Sequence, residues 1–174
     1  MRIWRASDRV FQPWKNGGGE TATVLGAPEG AGPDGFDWRI STAIIARSGP
    51  FSPFPGCTRL FTVIAGAPVT LHLSDGRCER RGPGDGALRF SGDLGCDCHH
   101  DGAPTLALNL MTRAPFRAEI GPGPLPGAAR RFLFACAPIP SLGLAAHDMA
   151  ETDAVAEGAL SVALYRAPDS SAEA

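Results

Sequence analysis

Short apolar runs, each bounded by residues that turn the chain, are the feature that most constrains the fold of this sequence. Nine runs rich in β-branched or alternating apolar residues occupy 20–25, 38–45, 60–65, 69–73, 87–90, 95–99, 106–111, 131–137 and 160–165. Turn signals such as Pro-Asp-Gly at 33–35 and Pro-Gly-Asp-Gly at 83–86 separate them, because these residues accept a positive φ or fix φ at about −65°. Short strands at regular spacing are typical of a sandwich or barrel. The sequence therefore predicts an all-β protein.

The segment 121–129, GPGPLPGAA, divides the chain of 174 residues. It cannot hold a regular element, because its prolines lack a donor and its glycines add backbone freedom. We predict a β-module with a ligand pocket over residues 1–120 and a second, smaller β-module over 121–167 that packs on the first. The small, polar residues 168–174 are predicted to form a disordered tail.

Composition excludes several classes of partner. A net charge of −2 gives no field that would gather nucleic acid or an anionic membrane surface. No stretch approaches the roughly 18 apolar residues of a membrane helix, and the first residues lack the pattern of a signal peptide, so we expect a cytoplasmic protein. Five cysteines without framework spacing favour free, buried thiols. The sequence leaves the oligomeric state open, a homodimer included.

The run at 38–45 alternates between two faces of a predicted strand. Arg39 and Ser41 begin one face, with Ala43 next on the same side, whereas the other face is apolar. An arginine and a serine beneath a small alanine suit the wall of a polar pocket in a barrel mouth. The alternative is that Arg39 faces solvent from an open sheet edge.

The segment from Trp14 to the three glycines at 17–19 is the densest candidate for a binding loop. Lys15 is the only lysine among the 16 basic residues, and its ammonium suits a carboxylate, while Asn16 can orient a carbonyl or amide. Consecutive glycines can present N–H groups as an anion-binding nest. The order GxxxxGK[ST] of a P-loop is absent. The alternative is a flexible hairpin whose tryptophan plugs the end of the barrel.

A second candidate loop, GPFSPFPG, covers residues 49–56. Its prolines fix an extended backbone, its two phenylalanines can pack inward, and Ser52 stays available for hydrogen bonding. Arg59 enters the next strand, where its forked donors suit a carboxylate. The same residues also fit a structural loop followed by a surface arginine.

Metal and nucleophile chemistry find little support in the sequence. The histidines are His72, His99, His100 and His147. They supply neither an H-x-H nor an H-x-x-x-H pair. Cys96 and Cys98 share one face of a predicted strand, which suits a soft metal or, more simply, two buried thiols. There is no G-x-S-x-G elbow. We therefore expect no metal, no cofactor and no catalytic residue.

The chain resembles the HutD family, which includes the Ves proteins. The matching blocks are PWKNGGGET at 13–21, DWRISTAIIARSGPFSPFPGCTR at 37–59, RFSGD at 89–93 and LNLMTR at 108–113. The resemblance implies a cupin-like (RmlC-like) β-barrel or jelly roll built from two β-modules in one compact chain, without the metal-binding histidines of other cupins. It also implies a regulatory or ligand-sensing role in histidine utilisation.

Carried onto this chain, the resemblance implies a pocket for a small anionic metabolite such as N-formyl-L-glutamate or urocanate. The implied ligand-binding residues are Trp14, Lys15, Asn16, Arg39, Ser41, Ser52, Arg59 and Asn109. The chain departs from the family at Ala107, where an aspartate is usual, and this puts a proton-transfer role there in doubt. An alternative is a cupin-type isomerase or hydrolase with Lys15 as acid or base and Arg39 or Arg59 holding the substrate.

Overall fold

The computed structural model describes residues 1–167 and is built almost entirely from β-strands. The strands are β1 (Arg2–Trp4), β2 (Gln12–Pro13), β3 (Gly19–Ala27), β4 (Trp38–Ile45), β5 (Gly49–Phe51), β6 (Thr58–Ala65), β7 (Val69–Leu73), β8 (Cys78–Arg81), β9 (Leu88–Ser91), β10 (Cys96–His99), β11 (Thr105–Thr112), β12 (Phe116–Gly121), β13 (Arg130–Ala135), β14 (Met149–Glu151) and β15 (Ala159–Arg166). Two single 3-10 turns lie at Ala6–Asp8 and Pro140–Leu142. Within residues 1–167 no helix has the length and apolar character needed to span a membrane. The predicted tail lies outside the described residues.

Three antiparallel sheets form three layers. The central sheet has the strand order β2-β3-β4-β11-β6-β9. A five-stranded sheet, β1-β14-β13-β15-β12, packs on one face, and a four-stranded sheet, β5-β10-β7-β8, packs on the other. The prediction of an all-β fold is confirmed. The short apolar runs of the sequence suit this fold, because a sheet that is buried on both faces needs apolar residues on both faces.

Strand β4 shows how the alternation of the sequence creates two cores. Trp38 and Ile40 face the five-stranded sheet, where they pack with Phe132. Ile45 faces the four-stranded sheet, where it joins Leu71 in a second apolar cluster. The predicted separation of the two faces is therefore confirmed, and the polar beginning of one face coincides with a cavity described below.

The five-stranded sheet combines strands from both sides of residue 120. It takes β13, β14 and β15 from the second part, but its two edges are β1 and β12. Strand β12 pairs with β15 along its whole length, from Phe116 with Arg166 to Gly121 with Ser161. The strands at both ends of the first 121 residues, β1 and β12, thus form the edges of the five-stranded sheet. A division into two modules at residue 120 stays a prediction.

All five cysteines are free thiols. Cys96 and Cys98 alternate with exposed residues along β10 and pack into the apolar cluster between the central and four-stranded sheets. Burial raises the pKa of Cys96 to about 11 and that of Cys98 to about 12. Both thiols are therefore protonated at neutral pH, and they act here as small apolar groups.

Candidate functional site

A cavity of about 570 Å³ lies between the central sheet and the two loops that the sequence singled out. Its floor is formed by β4, β6 and β11, and its walls by the segment 13–16 and the loop 50–54. We call it the central pocket. Its lining residues are Pro13, Trp14, Lys15, Asn16, Thr21, Ser41, Ala43, Ile45, Pro50, Phe51, Ser52, Pro53, Phe54, Arg59, Phe61, Asn109 and Met111. The lining contains all of the predicted ligand-binding residues except Arg39.

The floor of the central pocket is polar because of strand register. Ser41 of β4 lies opposite Asn109 of β11, and Asn109 lies opposite Phe61 of β6. Directly opposed residues share a face of the sheet, so all three point into the pocket. Ser41 and Asn109 are only 2% and 7% exposed. The Asn109 Oδ1 atom is buried without a hydrogen-bond partner among the described residues, and Asn109 belongs to the pocket lining.

Arg59 occupies the deepest cationic position of the pocket. It is 6% exposed, and its Nη1 donates to the Ser52 carbonyl oxygen at 3.1 Å. The guanidinium carbon lies 5.6, 5.3 and 5.0 Å from the ring centroids of Phe51, Phe54 and Phe90. Three aromatic rings therefore surround the charge, and the loop 50–54 and β9 each contribute to its position.

The charge of Arg59 has no acidic partner within residues 1–167. None of the ion pairs in that part of the chain involves it, and its buried Nε lacks a hydrogen-bond partner there. Burial lowers the pKa of Arg59 to about 10, so the side chain is still charged at neutral pH. A buried charge without a counter-ion is costly for a folded protein.

The glycine loop, residues 14–19, is held by hydrogen bonds between its own residues and does not form the predicted anion-binding nest. The Gly17 N–H donates to the Trp14 carbonyl at 3.0 Å, and the Gly18 N–H donates to Asn16 Oδ1 at 2.9 Å. Asn16 Nδ2 donates in turn to the Pro50 carbonyl at 3.2 Å. Asn16 thus joins the two loops at the mouth of the pocket, and the N–H groups of Gly17 and Gly18 are already occupied.

Trp14 and Lys15 take different positions at the mouth. The Trp14 indole N–H donates to Thr21 Oγ1 at 2.8 Å, and its ring meets Phe51 edge to face at 5.8 Å. The indole therefore forms a fixed wall. Lys15 is exposed at the rim, and within the described part of the chain its ammonium makes neither an ion pair nor a hydrogen bond. Its charge is available to a ligand entering the pocket.

Arg39 lies outside the central pocket, and the prediction that it lines this pocket is corrected. In the row of residues across the sheet, Met111 stands between Arg39 and Arg59. The two guanidinium groups therefore share a face without sharing a cavity. Arg39 instead donates from Nε to Thr23 Oγ1 at 3.0 Å and lines a separate cleft.

The other positions that the sequence raised for chemistry are position 107 and the possible metal ligands. Ala107, where the family usually has an aspartate, is fully buried and belongs to the apolar cluster with Val63. It lies one row beyond Asn109 and does not line the pocket. Among residues 1–167, no three histidine, cysteine or acidic side chains group as metal ligands.

Several residues in or around the pocket were not among the predicted ligand-binding residues. Phe90, whose ring completes the cage around Arg59, lies on β9, which neighbours β6 only in the folded sheet. Thr21 and Met111 also line the cavity. The signal that could have found Thr21 is its position directly after the glycine loop, since a strand that leaves a pocket loop carries its first side chains along the pocket wall.

Gly19 is required by the close approach of β3 to Trp14, and we expect Gly19→Ala to destabilise the protein. An added Cβ would lie 2.4 Å from the Ile44 carbonyl oxygen and 3.0 Å from the Trp14 ring. The strand or the indole must shift, at a cost of about 2 kcal/mol. Urea unfolding measures this cost. Gly35→Ala is the matched control, because nothing lies within 4 Å of its added Cβ, and equal midpoints for the two variants would contradict the expectation.

The layered β fold with a pocket on its central sheet defines a cupin-like all-β protein. The sequence profile of the HutD family matches residues 6–122. These residues make up more than half of the 174-residue chain, and the chain therefore belongs to the HutD family.

Curated relatives extend the same match. An uncharacterised 21.2 kDa protein in the hutC 3′ region of Pseudomonas putida is 40% identical over 111 residues, which cover 64% of this chain and 57% of that protein. Protein Ves of Citrobacter koseri is 35% identical over 104 residues, covering 58% of this chain and 51% of that protein. The matched part of the chain thus spans little more than half the length of these relatives.

Solved structures match nearly the whole chain. HutD from Pseudomonas fluorescens SBW25 superposes with a TM-score of 0.77 at 30% identity, covering 96% of this chain and 99% of that one. A conserved protein of unknown function from Pseudomonas aeruginosa PAO1 gives 0.78 at 29%, covering 94% and 98%. Protein Ylba from Escherichia coli gives 0.60 at 12% identity, covering 94% and 85%, a likeness of fold alone. The predicted family and cupin-like fold class are confirmed.

Proposed function

We propose that the central pocket binds a small carboxylate metabolite and that the protein uses this binding to sense or regulate histidine utilisation. The observation that carries the proposal is the buried Arg59 guanidinium, which has no acidic partner in residues 1–167. A ligand carboxylate would supply the missing counter-charge to the guanidinium, and charge-assisted hydrogen bonds between such groups are the strong ones.

The other pocket groups narrow the ligand chemistry. The unpartnered Asn109 Oδ1 calls for a hydrogen-bond donor. The rings of Phe51 and Phe61, whose centroids lie 5.8 Å apart, provide an apolar wall, and Lys15 at the rim suits a second negative charge. N-formyl-L-glutamate offers two carboxylates and an amide N–H, and urocanate offers one carboxylate, a planar ring and a ring N–H. Both carry a carboxylate and an N–H donor, N-formyl-L-glutamate alone carries the second negative charge, and neither requires a metal or a cofactor.

The association with histidine utilisation is supported by the names of two relatives. One curated relative is described by its position in the hutC 3′ region, and a solved structure that covers 96% of this chain bears the name HutD. The pocket holds a cation, an amide and a hydroxyl on rigid strands, which is a selective arrangement for binding a metabolite.

Isothermal titration calorimetry tests the proposal on the full chain. We expect saturable heat with one ligand per chain for N-formyl-L-glutamate or urocanate, and weaker or no heat for the neutral amide of urocanate, because only the carboxylate can pair with Arg59. Glutamate and histidine serve as comparison ligands.

The same samples distinguish binding from catalysis. Proton NMR spectra of the titrated mixtures, recorded over hours, should show the unchanged ligand. A new product would favour the isomerase or hydrolase alternative. Absence of heat from every carboxylate at concentrations of about 1 mM would contradict the proposal, since a pocket of this size with one buried cation should bind its ligand at least that tightly.

A further inference from the structure

A second cleft opens beside the central pocket, on the other side of Trp14. Its volume is also about 570 Å³. It lies where the N-terminal segment crosses from β1, in the five-stranded sheet, to β2, at the edge of the central sheet. We call it the N-terminal cleft. Its lining includes Trp4, Arg9, Val10, Trp14, Thr23 and Arg39.

Arg39 brings an uncompensated cation to one wall of the N-terminal cleft. Its Nε donates to Thr23 Oγ1 at 3.0 Å, which fixes the direction of the guanidinium. None of the ion pairs found in residues 1–167 involves Arg39. The pKa of Arg39 is lowered by partial burial. A half-buried guanidinium that is oriented by a threonine and faces a cleft has its two Nη groups available to a ligand.

Arg9 brings a second cation from a different element. Its Nη2 donates to the His147 carbonyl oxygen, and its guanidinium lies 5.7 Å from the Phe134 ring centroid. The Arg9 Nε is buried without a hydrogen-bond partner in the described part of the chain. Burial lowers the pKa of Arg9, and the charge of Asp148 opposes this effect in part. The packing against the ring and the bond to a carbonyl hold this cation in place.

The acidic residues nearby do not neutralise these two arginines. Asp148 is committed to Arg5, whose Nη1 lies 2.8 Å from its Oδ2, and to two backbone N–H groups. Asp8 also lines the cleft, but it is exposed, and within residues 1–167 its side chain accepts a hydrogen bond only from the Ser7 hydroxyl. With Arg5 paired to Asp148, the lining of the cleft keeps Arg9 and Arg39 against Asp8, and its field favours an anion.

We infer that the N-terminal cleft is a second binding site, for a small organic dianion whose two carboxylates pair with Arg9 and Arg39. The apolar part of such a ligand would lie against Trp4 and Val10, and the 72% exposure of Val10 gives it unfilled apolar surface at the rim. Two separate acid groups fit the site better than one, because the two guanidinium groups come from different elements and each is held by its own contacts. The inference is independent of the ligand of the central pocket.

Indole N–H signals in two-dimensional NMR test this site with glutarate as the probe. Trp4 lines only the N-terminal cleft, Trp14 lines both cavities, and Trp38 is buried in the core. The titration uses the Arg59→Met protein, in which the central pocket has lost its buried cation. We expect the Trp4 signal to shift and saturate, while the Trp38 signal stays fixed.

Variants then assign the shift to the two arginines. Arg39→Gln and Arg9→Gln should each weaken glutarate binding about tenfold, the loss expected for one charge-assisted contact. Arg80→Gln, on exposed β8 far from the cleft lining, should leave it unchanged. Having two arginine variants guards against one that fails to fold, which loss of signal dispersion would reveal.

Three outcomes would overturn the inference. The first is an unshifted Trp4 signal at saturating glutarate, and the second is equal glutarate affinity in Arg39→Gln and Arg80→Gln. The third is inorganic phosphate binding as tightly as glutarate, which would show that the cleft does not recognise two separated acid groups. Because Arg59 is absent throughout, none of these outcomes bears on the central pocket.

Discussion

Replacing Arg59 with methionine should abolish carboxylate binding in the central pocket while leaving the protein as stable as before, or more stable. The ligand loses at least two charge-assisted hydrogen bonds, worth about 3 kcal/mol together, or roughly a hundredfold in affinity. The folded protein loses a buried cation that no acidic residue in the described chain compensates, and Met111, Phe51 and Phe54 provide apolar surroundings for a methionine of similar length. Calorimetry measures the affinity and urea unfolding measures the stability.

The opposite signs of the two effects separate a binding residue from a structural one. If Arg59 served the fold, its removal would cost stability, as loss of a packed core side chain does. Arg80→Met is the matched control, because Arg80 is exposed on β8 and lies outside both cavities; it should change neither quantity. Unchanged affinity in Arg59→Met would show that the carboxylate binds elsewhere, and a large loss of stability would show that the guanidinium stabilises the loops around it.

The positive charge on Arg59 also predicts the sign of a pH effect. Burial lowers the pKa of this base in the folded state to about 10, below its ordinary value. The charged form is therefore disfavoured by folding, and its cost is present at neutral pH and diminishes only as the pH rises above about 10. A bound carboxylate offsets the same cost at neutral pH, so ligand binding and stability should be coupled in this protein.

Most of the strands were predictable because their signal is local. The runs at 38–45 and 69–73 match β4 and β7 at both ends, since alternation of apolar residues and flanking turns determine where a buried strand begins and ends. Strand β12 was missed. Its sequence, FRAEIG, mixes charged and apolar residues, and it becomes a strand through pairing with β15, whose partner residues lie 40 or more positions away. No local pattern reveals such a pairing.

The sequence predicted which residues line a cavity, but it did not predict that they line two separate cavities. Alternation correctly placed Arg39 and Ser41 on one face, and that face does open into a cavity. The sequence could not show that Met111, from a strand about 70 residues later in the chain, would stand between Arg39 and Arg59. That arrangement depends on the strand order of the central sheet, which is a property of the whole fold. The residues that were predicted to line one pocket thus line two separate cavities.

Asp148 is the other residue whose replacement should have a large effect, in this case on stability. It is 1% exposed and accepts hydrogen bonds from the Ala6 N–H at 2.7 Å, Arg5 Nη1 at 2.8 Å and the Ala145 N–H at 3.0 Å. These contacts fasten the N-terminal segment to the loop before β14. Asp148→Ala leaves two backbone donors without their acceptor, and we expect a loss of about 3 kcal/mol in the free energy of unfolding, measured by urea denaturation.

The pH dependence of the stability distinguishes the contribution of the Asp148 charge from that of its shape. Desolvation by itself would raise the pKa of this carboxyl, but the hydrogen bonds from Ala6, Arg5 and Ala145 and the charge of Arg5 outweigh it and hold the pKa below the ordinary 3.8. A lowered acid pKa contributes stability that is complete above the unfolded value and is lost as the pH falls through the folded one. The gap in stability between the native chain and Asp148→Asn, which keeps an acceptor oxygen, should therefore be constant from neutral pH down to about 5 and shrink below 3.8. A gap that stays constant at lower pH would mean that it arises from the N–H donors that asparagine adds and not from the lost charge, because the two side chains have nearly the same shape.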